Sequence, residues 1–199
     1  MKQTHRITAG RQVRIAVSGK SGCGNTTVST LLAASLGIRL INFTFRTLAQ
    51  EMGVSLADVI ERAKRDDSFD RIVDTRQVEL ARASSCVLGS RLAVWMLSDA
   101  DLKVYLHASD DVRARRIQQR EGGDIEEISA FTRMRDAEDT KRYKRLYNID
   151  NTDCGFVDLQ IDTAQYRPQQ IVRIILDELV RRSLAVPFAG GELSAAAHC

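Results

Sequence analysis

The sequence has few residues of the types that build metal centres and disulfide networks. Its four cysteines lie far apart and form no C-x-x-C pair, and its three histidines are scattered along the chain. This distribution argues against a zinc site, a disulfide framework and a catalytic histidine. It favours a reducing, cytoplasmic environment.

The chain also lacks a long apolar run and a block of basic residues. No segment approaches the length of a membrane span, and the net charge of +3 comes from basic residues interleaved with acids. Neither a membrane nor a nucleic acid is therefore expected as a partner. The 199 residues suit one domain, and 44% hydrophobic residues suffice for a full core.

A glycine-rich segment carries the strongest pattern in the chain. Residues 13–17 predict a buried strand, glycines follow at 19, 22 and 24, and an amphipathic helix begins near residue 26. This order and the spacing G-x-x-x-x-G-K-[ST] are typical of a P-loop, which binds phosphates through backbone N–H groups and a helix N-terminus. The loop residues expected to contact ATP are Gly19, Lys20, Ser21, Gly22, Cys23, Gly24, Asn25, Thr26 and Thr27.

The loop departs from the P-loop pattern at one position, because Asn25 stands where the motif has lysine. Lys20 lies earlier in the same loop, and its side chain is long enough to fold over the phosphates. We predict that Lys20 supplies the missing positive charge and that Thr26 is a ligand of Mg²⁺ bound with ATP. The alternative interpretation is a glycine-rich turn that binds nothing.

Hydrophobic periodicity predicts an α/β fold in which five strands alternate with helices and form a parallel sheet covered on both faces. Helical segments over 43–84, broken near 53–55 and 66–68, indicate a substrate-binding insertion. We expect one domain over residues 12–184, with flexible termini at 1–11 and 185–199. The predicted strands are 13–17, 38–42, 85–89, 102–106 and 157–162, and the later helices are 110–121, 125–147 and 168 to about 184.

Arginines are predicted to surround the end of the sheet next to the P-loop. Arg46 follows the second strand, Arg91 follows the third, and Arg71 shares a helix face with Asp74 and Gln77. Guanidinium groups hold phosphate in a bidentate manner. These arginines therefore suit a small phosphorylated acceptor.

Two further helices, which flank a glycine pair, carry charged residues at helical spacing. We interpret them as a lid over about 120–148 that brings positive charge onto a transferring phosphoryl group and excludes water. The alternative is a solvated helix pair whose charges are matched by neighbouring acids. The residues concerned are Arg113, Arg116 and Arg120 on the first helix, and Arg135, Asp139 and Arg142 on the second.

Taken together, these motifs resemble cytidylate kinase, with the closest likeness to the archaeal-type branch of that family. The resemblance covers about residues 12–182, and the lid is also similar to the bacterial branch through its Arg-Asp-x-x-Asp-x-x-Arg motif at 135–142. The matching blocks are Phe45-Arg46, Asp74-Thr75-Arg76-Gln77, Arg91-Leu92-Ala93-Val94-Trp95, Ala100-Asp101-Leu102-Lys103, Lys141-Arg142-Tyr143 and Tyr147-Asn148-Ile149-Asp150.

The resemblance implies a three-layer P-loop kinase fold with a helical NMP-binding insertion and a helical lid. It implies an enzyme that transfers the γ-phosphoryl group of ATP to CMP or dCMP, with Mg²⁺ as the cofactor. Apart from the resemblance, we expect a monomer. The residues expected to hold CMP are Arg46, Arg71, Asp74, Gln77 and Arg91. Those expected to act on ATP and the transferred group are Lys20, Arg116, Arg135, Asp139 and Arg142, with Asp139 orienting Arg142.

Two departures from the family pattern affect the expected roles. Leu92 occupies the place of a cytosine-reading aspartate of the bacterial branch, and Gly89 that of a glutamate of the archaeal-type branch. We expect Asp74 to accept a hydrogen bond from the cytosine amine and Gln77 to donate to the ring acceptors. A kinase for another small phosphorylated acceptor and an inactive nucleotide-binding protein are the alternatives.

Overall fold

In a computed structural model, which describes residues 3–188, the chain contains seven strands and eight helices. The strands are β1 (His5–Ile7), β2 (Arg14–Gly19), β3 (Arg39–Ile41), β4 (Cys86–Gly89), β5 (Leu102–His107), β6 (Leu159–Asp162) and β7 (Ala185–Pro187). The helices are α1 (Asn25–Leu36), α2 (Phe45–Met52), α3 (Leu56–Ala63), α4 (Ser68–Arg82), α5 (Ala93–Met96), α6 (Asp110–Glu121), α7 (Ile125–Tyr147) and α8 (Pro168–Arg181).

Strands β2 to β6 form one parallel sheet in the order β3-β4-β2-β5-β6. Parallel neighbours need a crossover connection, and the helices between the strands provide it. The central strand β2 is buried on both faces, because Ile15 and Val17 pack into one core layer and Ala16 packs into the other. The predicted five-stranded α/β fold is confirmed.

Helices cover both faces of this sheet. On one face, α1 and α8 contribute Leu32 and Ile175, which are fully buried. On the other face, α4 and α5 contribute Ala81 and Val94. The insertion α2–α4 has a small hydrophobic core of its own around Val59. Residues of this insertion and of the P-loop line the same cavity.

Local capping explains where the predicted helices begin and end. Ser55 and Asp58 form a capping box that starts α3 after the predicted break at 53–55. The side chain of Asp124 accepts hydrogen bonds from the first backbone N–H groups of α7. Helices α6 and α7 have the predicted bounds. Within residues 3–188, none of the helices is both long enough and apolar enough for a bilayer crossing.

Two short strands lie within the segments 1–11 and 185–199, for which the sequence predicted flexible termini. Strands β1 and β7 pair antiparallel, with Arg6 opposite Val186, and the N–H of Phe188 donates to the carbonyl of Thr4 at 2.8 Å. Ala185 is fully buried against the core. Neither strand was predicted, because β1 lies in a polar segment and β7 ends at Pro187, a residue that argues against a strand; the equally short β3 falls within the apolar run 38–42. Residues 189–199 lie outside the described part of the chain.

Helix α5 is a further element that periodicity does not reveal, because it has a single turn. Its backbone N–H at Val94 donates to the hydroxyl of the buried Ser18 at 3.1 Å. Ser18 lies near the end of β2, so this bond fixes the segment after β4 against the P-loop strand. The position of Arg91, which precedes α5, depends on this contact.

Candidate active site

A cavity of about 660 Å³ lies at the carboxyl ends of the parallel strands. Ligands of open α/β sheets bind at this edge. The P-loop, the insertion and the lid helices all contribute to its wall. Six cationic side chains line it against two carboxylates, so the cavity suits a strongly anionic ligand. The cations are Lys20, Arg91, Arg116, Arg120, Arg135 and Arg142, and the carboxylates are Asp70 and Asp74.

The P-loop has the conformation that its glycines predict. Gly22 and Gly24 have φ values of +83° and +86°, which glycine adopts without strain. A Cβ at Gly22 would lie 2.9 Å from the backbone of Arg113, so α6 packs directly on the loop. All nine predicted loop residues, 19–27, line the cavity.

The side chain of Asn25 forms hydrogen bonds within the protein, unlike the phosphate-binding lysine that the P-loop pattern has at this position. Its Oδ1 accepts a hydrogen bond from Ser29 at 3.0 Å, and its Nδ2 donates to the carbonyl of Ser90 at 3.3 Å. The amide therefore joins α1 to the end of β4. A Cβ at Gly89 would lie 2.7 Å from the Oγ of Ser29. This packing accounts for glycine at position 89, where the archaeal-type pattern has glutamate.

Lys20 lies on the cavity wall, as its predicted role requires. Its Nζ is 3.6 Å from an oxygen of Asp136 on α7, and 37% of its side chain is exposed. Asp136 also accepts a hydrogen bond from Arg113 at 2.6 Å. Lys20 thus shares its counterion Asp136 with Arg113, and part of its side chain is exposed at the cavity.

Arg113 was assigned to the exposed lid face by its spacing, and the structure corrects that assignment. Only 1% of its side chain is exposed, and it donates to the backbone carbonyl of Ser21 at 3.1 Å and to Asp110 at 2.7 Å. Burial alone would lower the pKa of Arg113, but the hydrogen bonds that Arg113 donates to Asp110 and Asp136 outweigh it, and the pKa is raised. Arg113 is a buried cation that stabilises the P-loop through its hydrogen bond to the carbonyl of Ser21.

Arg116 and Arg135 lie at the cavity as predicted. Arg116 donates to the carbonyl of Gly22 at 3.2 Å and to Thr163 at 2.8 Å, so it links the P-loop to the segment after β6. Arg135 makes no salt bridge with any residue of the 3–188 range. Its charge is therefore available to an anionic ligand.

Asp139 lies between two arginines of the cavity wall. It accepts hydrogen bonds from Arg91 and, at 2.6 Å, from Arg142. Arg91 also donates to the hydroxyl of Ser21 at 2.6 Å. Burial, together with the nearby charge of Arg135, lowers the pKa of Arg91. The arrangement brings one arginine from the end of β4 and one from the lid to a common point beside the P-loop.

The insertion contributes Asp74 and Gln77 to the opposite side of the cavity. Asp74 accepts a hydrogen bond from the hydroxyl of Tyr147 at 2.8 Å. Burial raises the pKa of Asp74 to about 6, although the Tyr147 hydrogen bond partly offsets the effect. Tyr147 belongs to a block that signalled the resemblance, but its spacing gave no reason to assign it to Asp74.

Two predicted acceptor residues do not line the cavity. Arg46 and Arg71 are both exposed and absent from its wall. The guanidinium of Arg71 lies 5.6 Å from the centre of the ring of Tyr147. The structure thus brings together Asp74, Gln77 and Arg91, and it leaves the other two arginines outside the site.

The residues present fit a metal ion that arrives with a nucleotide. Thr26 lines the cavity in the first turn of α1, and a hydroxyl is an oxygen ligand that Mg²⁺ accepts beside phosphate oxygens and water. Positions 89 and 92 carry glycine and leucine and offer no carboxylate. Within residues 3–188, no cluster of three or more His, Cys, Asp or Glu side chains could hold a metal by itself.

Comparison with known proteins supports the same interpretation of the chain. The sequence pattern of the cytidylate kinase-like family matches residues 14–165. "Cytidylate kinase 2" of Borreliella burgdorferi is 42% identical over 176 residues, which cover 86% of this chain and 98% of the relative. "Cytidylate kinase" of Pyrococcus horikoshii is 39% identical over 163 residues, covering 81% and 85%.

The fold has counterparts among solved structures. Shikimate kinase from Acinetobacter baumannii in complex with shikimate superposes with a TM-score of 0.61 at 19% identity. The match covers 87% of this chain and 96% of that structure. At this identity the likeness speaks for the fold and not for the substrate.

Proposed function

The chain belongs to the cytidylate kinase-like family, and we propose that its cavity transfers the γ-phosphoryl group of ATP to CMP or dCMP. The protein is an ATP-dependent nucleoside monophosphate kinase. The observation that carries the proposal is the cavity itself, in which the P-loop and six cations face the Asp74–Gln77 side of the insertion. One end suits a polyphosphate, and the other offers hydrogen-bonding groups to a base.

Catalysis in this site consists of placement and charge neutralisation. The backbone N–H groups of the P-loop hold the β-phosphate, and Arg116 and Arg135 contact the ATP phosphates. Arg91 and Arg142 meet at Asp139, so both guanidinium groups are held where the acceptor phosphate and the transferring group come together. The acceptor oxygen is already anionic, and the reaction needs no general base.

The transition state also needs positive charge near the oxygen that joins the β- and γ-phosphates of ATP, because negative charge develops there. Lys20 supplies it in our proposal, because the amide of Asn25 is bonded to Ser29 and Ser90 and carries no charge. Thr26 would hold Mg²⁺, which neutralises charge on the β- and γ-phosphates when bound. Arg46 and Arg71 would contact CMP only after the insertion moves towards the P-loop.

A coupled assay of ADP release tests the function directly. We expect ADP to appear from ATP with CMP or dCMP and not without an acceptor. A protein that binds ATP but releases no ADP with any monophosphate would be the inactive nucleotide-binding protein of the alternative interpretation. The proposal also includes a monomer in the cytoplasm, and light scattering of the purified chain tests the oligomeric state.

A further inference from the structure

Gln77 has a buried side-chain amide that is only half paired. The residue lies on α4, is 4% exposed and lines the cavity. Its Nε2 donates to Oδ1 of Asp74 at 3.4 Å. Its Oε1 is buried and has no hydrogen-bond partner among residues 3–188. An unpaired buried acceptor costs about 1–3 kcal/mol, so this oxygen is a place for a donor that a ligand brings.

The orientation of the amide is set by its neighbours. Asp74, when ionised, only accepts hydrogen bonds. Its Oδ2 accepts from the hydroxyl of Tyr147 at 2.8 Å, and its Oδ1 faces Gln77. The reverse orientation of the amide would place Oε1 against a carboxylate oxygen. Tyr147, Asp74 and Gln77 therefore form a chain of hydrogen bonds, here called the relay, in which the ionised carboxylate makes both of its neighbours donors.

We propose that Oε1 of Gln77 accepts a hydrogen bond from the amino group at C4 of cytosine, and that Asp74 and Tyr147 are positioning residues that hold the Gln77 amide in this polarity. The inference rests on the proposed function and names the group that selects its base. It reverses the roles expected from the sequence, in which the aspartate accepted from the amine and the glutamine donated to the ring.

This arrangement discriminates cytosine from uracil. Uracil carries a carbonyl oxygen at C4, so two hydrogen-bond acceptors, that oxygen and Oε1 of Gln77, would face each other. A site built to pair one polar group rejects an analogue that leaves its buried group unpaired. CMP and UMP have rings of the same size, so a comparison of the two shows whether the Gln77 amide presents an acceptor or a donor to the base.

The relay predicts a change of specificity from a residue that does not touch the base. In Asp74→Asn, the new amide can donate its NH₂ group to Gln77 and accept from the hydroxyl of Tyr147, or it can take the reverse orientation, because a phenol hydroxyl both donates and accepts. In the first orientation Oε1 of Gln77 accepts from that NH₂ group, and Nε2 turns towards the base. The site then presents a donor to the C4 oxygen of uracil in part of the molecules, and the preference for CMP weakens.

The experiment measures kcat/KM for CMP and for UMP by ADP release. The wild type should prefer CMP, and Asp74→Asn should shift the CMP-to-UMP ratio towards UMP by roughly 10- to 100-fold, as expected for one exchanged buried hydrogen bond. Gln77→Met, which removes both amide atoms at similar size, should bring the ratio close to 1. Glu79→Gln is the matched control, because Glu79 is exposed on the same helix and pairs only with Arg76; its ratio should equal that of the wild type.

The double variant Asp74→Asn/Tyr147→Phe tests whether the carboxylate of Asp74 sets the orientation of the Gln77 amide. Without the hydroxyl, the asparagine amide still has no fixed orientation, and the ratio should stay near that of Asp74→Asn. Recovery of the wild-type ratio in the double variant would overturn the relay. Unchanged ratios in Asp74→Asn and Gln77→Met, in an enzyme that prefers CMP, would overturn the inference and leave the proposed function intact. A wild-type protein that does not phosphorylate CMP would overturn the proposed function instead.

Discussion

The Nζ of Lys20 in the P-loop lies 3.6 Å from Oδ2 of Asp136 on the lid helix α7. The pair joins the loop to the lid at the cavity, in a loop whose usual lysine position holds Asn25. Because Asp136 also binds the buried Arg113 at 2.6 Å, the carboxylate keeps a cation when Lys20 turns towards phosphate. The loop therefore has a lysine that can move without leaving an unpaired carboxylate.

Lys20→Ala should reduce kcat by about two to three orders of magnitude, the usual loss for one preorganised transition-state contact. The change should affect turnover at saturating ATP, which a steady-state assay measures. Lys64→Ala provides the control, since Lys64 is 66% exposed and pairs with Glu61 away from the cavity. Turnover of Lys20→Ala equal to that of the control would assign the neutralisation to the lid arginines.

The contacts of Arg91 predict a selective loss of acceptor binding. In Arg91→Ala the KM for CMP should rise about 10- to 150-fold, because a hydrogen bond to a charged group contributes about 1.5–3 kcal/mol. The KM for ATP should change little. Arg46→Ala provides the comparison: Arg46 does not line the cavity and would contact CMP only after the insertion moves, so its effect on the KM for CMP should be smaller. A larger effect at Arg46 than at Arg91 would mean that the insertion, and not the end of β4, holds the acceptor phosphate.

Asp139→Asn tests the point where Arg91 and Arg142 meet. The carboxylate is buried, but its partners Arg91 and Arg142 are 26% and 37% exposed. Its loss should therefore cost less than the about 3–5 kcal/mol of a fully buried pair and more than the about 0–1 kcal/mol of an exposed one. Thermal or urea unfolding should show this loss, and CMP should restore more stability to the variant than to the wild type, because its phosphate replaces the missing anion.

Asp67→Asn is the matched control for Asp139→Asn. Asp67 pairs with Arg145, also on α7, but both side chains are substantially exposed. Exposed pairs contribute about 0–1 kcal/mol. Equal stability of the Asp139 and Asp67 variants would contradict the account of the arginine pair.

The raised pKa of Asp74 predicts a stability cost with a definite pH dependence. Its pKa rises from 3.8 to about 6 in the folded protein, mainly through burial, despite the Tyr147 hydrogen bond and with Asp70 and Arg142 nearby. Between these values the folded state holds a proton that the unfolded state has lost. The free energy of unfolding therefore falls as the pH rises through this window and stays lower above it.

Asp74→Asn should accordingly be more stable than the wild type at about pH 7, by roughly 2–3 kcal/mol at 1.36 kcal/mol per pKa unit, and the gain should vanish near pH 4. Urea unfolding at the two pH values measures it. Asp58→Asn should show the opposite sign, because hydrogen bonds from Ser55 lower the pKa of Asp58. A destabilised Asp74→Asn at neutral pH would contradict the assignment.

The sheet and the long helices were predictable from the sequence because each spans several turns or a complete apolar run. Helix α7 shows this most clearly, since its bounds at Ile125 and Tyr147 follow from a glycine pair on one side and a loss of periodicity on the other. Strand β1 was missed because it lies in a polar segment, and β7 because it ends at a proline, whereas the equally short β3 lies in an apolar run. Helix α5 was missed because four residues contain barely one helical turn.

The site was predictable where a motif fixes both the residue and its element. The P-loop, Arg91, Asp139 and Arg142 come together as their motifs indicated. Helical spacing alone could not tell that Arg113 would be buried under the loop, because spacing assigns a face of the helix but not the layer that packs on it. For the same reason it could not exclude Arg71 from the cavity wall.

An internal competition between acceptors is the most direct test of whether this kinase prefers CMP and dCMP to other nucleoside monophosphates. The protein is incubated with ATP and an equimolar mixture of CMP, dCMP, UMP and AMP, and the diphosphates formed at early times are separated and quantified. The account predicts that CDP and dCDP dominate, that UDP is a minor product and that almost no ADP derives from labelled AMP. Equal formation of UDP and CDP, or a product mixture dominated by phosphorylated AMP, would contradict it.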